Sequence, residues 1–223
     1  MSTEKPRKRM SAQQRRAVIE EAATEVFAAH GYQRASMEEI ARRSGVSVPV
    51  VYDHFSSKRQ LHRRLLERHF AELRQLWRER LPETGDAGTS DRLSTQEVAS
   101  AFDAWFHYIE THPYAWRMLF RDTTGDAAVR EDHQEVIDTS RNALLPFFAR
   151  LVGIPLFDEP DEQTRVEAEM AWEVCRSVLQ GLALWWHDRP EVPRAVVVSA
   201  AVDAVWTGFE RSSAARRSSR NSP

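Results

Sequence analysis

The sequence predicts an all-α chain of about nine helices, and three observations support this. Four S-x-x-E/Q boxes, Ser11/Gln14, Ser36/Glu39, Ser57/Gln60 and Ser94/Glu97, each head a run with helical apolar spacing. In such a box the serine hydroxyl accepts the third N–H of the helix, and the Glu or Gln reaches back to the cap. Glycine is scarce, 8 in 223 residues, which speaks against a turn-rich β protein and a glycine-based phosphate loop. Hydrophobic residues make up 42%, enough for a core and too many for wholesale disorder.

The elements follow in order. Residues 1–10 read as a disordered basic arm containing Arg7, Lys8 and Arg9, with no apolar stretch behind it that would make a signal peptide. A first helix runs from about Ser11 to His30, with Val18, Ala22 and Phe27 near helical spacing and Gly31 as its stop. A second covers Met37 to Ser44 with Ile40 and Ala41 inward. Gly45-Val46-Ser47 form a three-residue turn, and a third short helix follows from Val48 to Phe55. Pro49 falls in its first turn, where a missing N–H costs nothing. The fourth helix starts after the Ser57 cap and ends near Arg80, with Leu61, Leu65, Phe70, Leu73 and Trp77 as its apolar stripe. At 1.5 Å per residue it is about 35 Å long.

Pro82 to Ser94 is a loop with Pro82, Gly85 and Gly88. Further helices are expected over about 95–111, 114–121, 126–152, 161–187 and 193–211, broken by His112-Pro113, by Pro155 with the acidic run 158–162, and by Pro190 to Pro193. The Ser/Arg-rich tail from Ser212 is expected to be disordered. The domain scheme is therefore 1–10 arm, 11–57 first domain, 58–81 connecting helix, 82–94 loop, 95–211 second domain and 212–223 tail.

Net charge is only −2, but it hides a split. Residues 1–80 carry 17 Lys+Arg and 10 Asp+Glu, whereas residues 81–223 carry 14 and 23. One end is suited to a polyanion and the middle is not. The single Cys175 excludes an internal disulfide or a thiolate metal cluster and suits a reducing cytoplasm. The longest apolar patch, around Ala195 to Val202, falls far short of a membrane span of about 20 residues.

Helix, glycine turn, short helix is the helix-turn-helix pattern, whose second helix enters the major groove. Val46, Val51 and Phe55 are expected to pack inward, leaving Ser47, Val48, Pro49, Tyr52, Asp53 and His54 outward. The stretch Gly31-Tyr32 … Ser36-Met37-Glu38-Glu39-Ile40-Ala41 … Gly45-Val46-Ser47 … Val51-Tyr52-Asp53-His54-Phe55 … Lys58 … Leu61 resembles the DNA-binding region of the tetracycline-repressor (TetR) family. The match covers about residues 11–65. Beyond it the chain agrees with the family only in length and helical pattern.

That resemblance implies a three-helix DNA-binding domain joined by the long helix to an antiparallel ligand-binding and dimerisation bundle. It implies phosphate contacts by Tyr52 and Lys58, a base or phosphate contact by His54, and a phosphate contact by Ser36 at a helix N-terminus, where anions are favoured. Val48 and Pro49 would lie against base edges, offering only apolar contact, with Ser47 and Val50 beside them. Two positions depart from the pattern: Val50 stands where Thr is common, and Asp53 puts a carboxylate near the groove. That carboxylate must accept from a cytosine amine or pair with an arginine.

The family also implies a small apolar or aromatic effector, for which Trp105, Tyr108, Trp116, Phe120, Phe148, Trp172 and Arg176 are the candidates. The aromatic residues among them are first of all core. A small-residue stripe, Ala201, Ala204, Val205 and Gly208, with Ser177, Gly181 and Leu184 on the preceding helix, reads as a two-fold homodimer interface. The expected partners are a palindromic double-stranded operator, an effector and a second copy, with no membrane and no cofactor. Repression is the family expectation.

No catalytic or metal site is expected. His62 and His69 lie two turns apart, Gly-x-Ser-x-Gly and P-loop patterns are missing, Pro160 interrupts the acidic run, and Glu169/Glu173 are a like-charge pair. The alternatives are a helical ligand-binding scaffold without specific DNA binding, and a non-specific architectural DNA binder.

Overall fold

The computed structural model describes residues 10–80, 93–120, 126–151 and 161–220, and these residues form nine helices and no strand. In chain order they are α1 (Ala12–Arg34), α2 (Met37–Ser44), α3 (Val48–His54), α4 (Lys58–Arg80), α5 (Thr95–Thr111), α6 (Pro113–Phe120), α7 (Ala127–Leu151), α8 (Glu162–His187) and α9 (Arg194–Arg220). The basic arm, most of the 82–94 loop and the loop around Pro155 lie outside the described residues.

Local chemistry sets these boundaries, with four differences from expectation. Ser11/Gln14 and Ser94/Glu97 form complete capping boxes. Ser36 and Ser57 accept from the N–H groups of Glu39 and Gln60, both at 3.1 Å, but their boxes stay half made. Gln60 instead accepts from the Ser56 N–H, and the Glu39 carboxylate is held by Arg42 and Arg43. Gly31 does break the helical geometry, at φ 69° and ψ 168°, yet the chain resumes helical turns to Arg34. Val18 is 39% exposed, and the buried side of α1 is Ile19, Ala23, Val26 and Phe27. The tail expected to be disordered continues α9 to Arg220, because residues 209–220 hold no Gly or Pro to stop it and Ala214 to Arg217 are strong helix formers.

The chain divides into two compact units, Met1–Arg68 with Tyr114–His133, and His69–Pro113 with Gln134–Pro223. The division falls inside α4 and α7, and it assigns α6 from Tyr114 onward to the first unit, whereas the sequence scheme keeps 95–211 together.

In the first unit α1 packs on α2 and α2 on α3, around Ile40, Val51, Phe55, Leu61 and Leu65, each at most 1% exposed. His62 lies in this core, edge-on to Phe27 and Tyr32 with ring centroids at 4.9 and 5.2 Å. Burial holds its pKa down to about 4, and its Nε2 has no hydrogen-bond partner. In the second unit α5, α8 and α9 pack on one another. Pro146 sits inside α7, where it removes one backbone donor, and the buried Leu144, Phe147 and Phe148 around it keep the helix packed. No described helix is long and apolar enough to cross a membrane.

Candidate nucleic-acid interface

The turn between α2 and α3 is built on one glycine. Gly45 closes α2 in the left-handed region, φ 68° and ψ 25°, which an L side chain adopts only at a cost. The next residue, Val46, then donates to the Ala41 carbonyl at 3.1 Å, so the last turn of α2 is satisfied as the chain reverses. The buried Ser44 hydroxyl donates back to Ile40 O at 2.7 Å. Ser47 caps α3 in extended geometry but makes no side-chain cap bond, so its exposed hydroxyl stays available.

The outward face of α3 follows from helical spacing. Val51 is fully buried, and at about 100° per residue Pro49 and Asp53 stand some 160° away from it, Tyr52 and Val50 about 100°, and His54 and Val48 about 60°. Exposure follows the same order: Pro49, Tyr52 and Asp53 are exposed, whereas Val48, Val50 and His54 are half-buried. Tyr52 is 47% exposed despite its ring, so about half of it is left uncovered by the chain. The inward assignment holds for Val51 and Phe55 and the outward one for Ser47, Pro49, Tyr52 and Asp53, whereas Val46, expected inward, and Val48 and His54, expected outward, are each half-buried.

Two further residues tied to DNA by resemblance sit at the junction of α1, α2 and α4. Ser36 is half-buried and caps α2. Lys58 is bound inside the chain: its ammonium donates to the carbonyls of Tyr32 at 2.9 Å, Ala35 at 3.1 Å and Gln33 at 3.4 Å, and lies 4.5 Å from the Tyr32 ring centroid. All three donors are used, and they fix the segment that leads into Ser36 and the start of α2.

Many arginines of residues 1–80 are paired within the first unit, and Asp132, from outside that range, offsets part of their excess. Arg59 grips Asp132 through two bonds, at 2.6 and 2.9 Å, and Arg63 adds a third at 3.0 Å. Those bonds hold the buried Asp132 carboxyl below the usual range and raise Arg59. Glu20, also buried, receives Arg16 and Arg68 at 3.2 and 2.7 Å, with Arg64 at 3.7 Å. Arg42 and Arg43 pair with Glu39, and Arg43 with Glu25. Sequence reasoning missed these centres, since nothing local links Asp132 to Arg59, 73 positions away.

Of the effector candidates, Trp116 and Phe120 fall in the first unit and the other five in the second. There Phe148 joins Trp77 and Trp172, with centroids at 5.6 and 5.1 Å. Trp105 stacks edge-on to Phe106, which meets Trp186. The Tyr108 hydroxyl donates to Glu72 at 2.8 Å and lies 2.6 Å from His69 Nδ1, a polar trio with Tyr108 and His69 buried and Glu72 half-exposed that sequence reasoning did not assemble. Arg176 is turned along its own helix to Glu173 and Gln180.

The proposed interface stripe is also redistributed. Ala201 and Val205 are buried in the second unit, whereas Ala204 and Gly208 are exposed. On α8, Ser177, Gly181 and Leu184 are exposed as expected, and Val166, Met170 and Val174 extend that face at helical spacing. Among the described residues a Cβ placed at Gly181 or Gly208 would meet nothing within 4 Å.

A helix-turn-helix with an exposed recognition face, followed by a helical domain, defines a class of DNA-binding regulators. Residues 19–65 match the family model described as bacterial regulatory proteins, tetR family. Over 204 residues the chain is 31% identical to the HTH-type transcriptional activator FasR of Mycolicibacterium smegmatis, spanning 90% of this chain and 85% of that one. Among solved structures, a TetR-like transcriptional regulator from a Rhodococcus species superposes with a TM-score of 0.68 at 19% identity, covering 91% and 99% of the two chains. The transcriptional regulator FadR from Bacillus subtilis, solved in complex with stearoyl-CoA, gives 0.64 at 15%, covering 86% and 98%. The chain belongs to the tetR family of bacterial regulatory proteins, and it is a DNA-binding transcriptional regulator.

Proposed function

We propose that this regulator binds a palindromic operator as a homodimer and changes its operator affinity when the second unit takes an apolar effector with a long acyl chain. The observation that carries the proposal is the α2–Gly45–α3 unit, which leaves Ser47, Pro49, Tyr52 and Asp53 exposed on one short helix. In this reading Ser36, Ser47, Val48, Pro49, Val50, Tyr52 and His54 meet DNA, and Lys58 holds the start of α2 in place.

Dimerisation is supported by the exposed apolar positions of α8 (Val166, Met170, Val174, Leu184) and α9 (Val196, Ala200, Ala204), two helices that pack on each other. Met170 and Val196 are each 56% exposed. Two such pairs would form a four-helix interface with the two-fold symmetry that paired half-sites require. The acyl class is suggested by the stearoyl-CoA bound to FadR and by the aromatic interior of the second unit. Because α4 and α7 each belong to both units, an effector that prefers one arrangement of these helices biases the reading head by its differential affinity. Release lowers or raises transcription according to where the operator lies, so the activator named FasR and the repression expected of the family fit one mechanism.

Selection from a random duplex pool is expected to yield a palindrome with half-sites one helical turn or a multiple apart. Light scattering on the 25.7 kDa chain should give twice that mass, and M170E/L184E should give the monomer with lost operator affinity. Stearoyl-CoA should then displace the operator. A monomeric wild type, or binding abolished by excess random DNA, would overturn the proposal. Saturation by stearoyl-CoA with unchanged operator affinity would remove the effector part alone.

A further inference from the structure

Asp53 stands at the centre of the DNA-facing side of α3, a position where a carboxylate is electrostatically unwelcome. The phosphates around a groove repel it, and an acceptor buried at an interface without a donor costs its full desolvation. The first escape, an intrachain arginine partner, is not used among the described residues, where Asp53 forms no ion pair. Arg16, Arg42, Arg43, Arg59 and Arg63 are taken by Glu20, Glu39, Glu25 and Asp132. The second escape is a donor supplied by the DNA itself.

We propose that Asp53 reads cytosine and is the principal polar specificity determinant of the recognition helix. Resting on α3 as that helix, the inference names what its central face selects. The chemistry follows from the major-groove edges. Cytosine presents the N4 amine as its one polar group, a donor, and a carboxylate can only accept. Adenine also offers an amine, but its N7 lone pair would face the second carboxylate oxygen; guanine and thymine present acceptors alone. The neighbours leave this work to Asp53. Pro49, which shares the outward face with it, and Val48 and Val50 have no hydrogen-bonding side chain. Tyr52 and His54 stand toward the flanks of the face, and Ser47 precedes the helix.

The test is selection from a random duplex pool with the full-length wild type, D53N and D53A, followed by anisotropy titration of the winning duplexes and their single-base variants. Wild type should enrich a C·G pair at one fixed position of each half-site. D53A should flatten that position alone, reducing discrimination there by roughly 5- to 150-fold, the range of one good base contact. D53N, with a donor added, should shift the same position toward adenine. Circular dichroism melting of both variants checks that α3 remains folded.

If D53A and D53N return the wild-type motif, the inference is overturned while the regulator reading stands. It is overturned equally if D53A tightens binding to every duplex by the same factor, for then Asp53 only repels phosphate. A wild type that enriches no motif would overturn the regulator reading first, and this inference with it.

Discussion

Replacing Lys58 by Met separates two roles that the resemblance and the structure give it. As a phosphate contact, Lys58 would add to DNA affinity and nothing to the fold. As placed here, its ammonium closes on three carbonyls at the end of α1. Methionine keeps the stem and removes the charge and the donors. A hydrogen bond from a charged group contributes about 1.5–3 kcal/mol when shielded. The bonds to Tyr32 and Ala35 are part-buried, and the one to Gln33 is exposed and long, so it adds little. The contact with the Tyr32 ring adds about 0.5–1 kcal/mol. Allowing for water reaching the freed carbonyls, K58M should destabilise the protein by about 2 kcal/mol.

Urea unfolding at fixed protein concentration reads that loss, and a thermal scan should show a fall of about 4–8 °C for a chain of this size. The second measurement is the salt dependence of binding to a labelled operator duplex between about 50 and 200 mM. A lost phosphate contact lowers the slope of log K against log salt by about 0.9 in each half-site, whereas a lost positioning bond leaves it unchanged. An unchanged urea midpoint with a slope reduced by about 1.8 for the dimer would refute the structural argument.

Four further outcomes follow. Gly45→Ala should cost about 1–2 kcal/mol in urea unfolding, all from the positive φ, since a Cβ there has open space. Asp132→Asn should cost about 1–2 kcal/mol, discounted because Arg59 and Arg63 are partly exposed. With its carboxyl held low by Arg59, the wild-type advantage should be full above the ordinary carboxylate pKa and be lost progressively as pH falls from there through the lowered pKa of the folded state. His62 is neutral in the core, so stability should rise with pH between about 4 and 6.5, by about 3 kcal/mol in total, and His62→Leu should abolish that component of the urea midpoint's pH dependence. Deleting residues 1–10, with Arg7, Lys8 and Arg9, should reduce the salt slope of DNA binding and leave the selected motif unaltered.

The reading head was legible because its determinants are local. Ser36, Gly45 and the Val51/Phe55 pair lie within twenty positions of one another, and each acts through its own backbone or the adjacent helix. The half-made boxes at Ser36 and Ser57 show the limit of that logic. A Glu or Gln at the third position can always find another partner, and Glu39 found two arginines. The second unit was legible as helices but not as a site, because an apolar residue at helical spacing says that it is buried and not against what. Trp116 and Trp105 look alike in the sequence and fall in different units. Ala201 and Ala204, three apart, differ in whether their own chain covers them.

The charge split that first suggested a nucleic-acid partner now needs a different account. Among the described residues seven arginines of 1–80 are engaged with Glu20, Glu25, Glu39, Glu67 or Asp132 in the first unit, so the basic excess that remains is not concentrated on free arginines beside the turn. The recognition helix itself, Val48–His54, contains no Lys or Arg and carries a carboxylate at the centre of its outward face. Affinity and specificity therefore come from different places. In the proposed reading phosphate attraction comes from outside α3, from Ser36 at the start of α2 and from the basic residues 7–9, while α3 contributes shape, apolar contact and one acceptor. A head organised this way binds random DNA weakly through α3 and depends on a matching base to make Asp53 tolerable. Its discrimination rests on removing a penalty as much as on adding a bond, which is why the D53A and D53N motifs decide more than any affinity measured on one duplex.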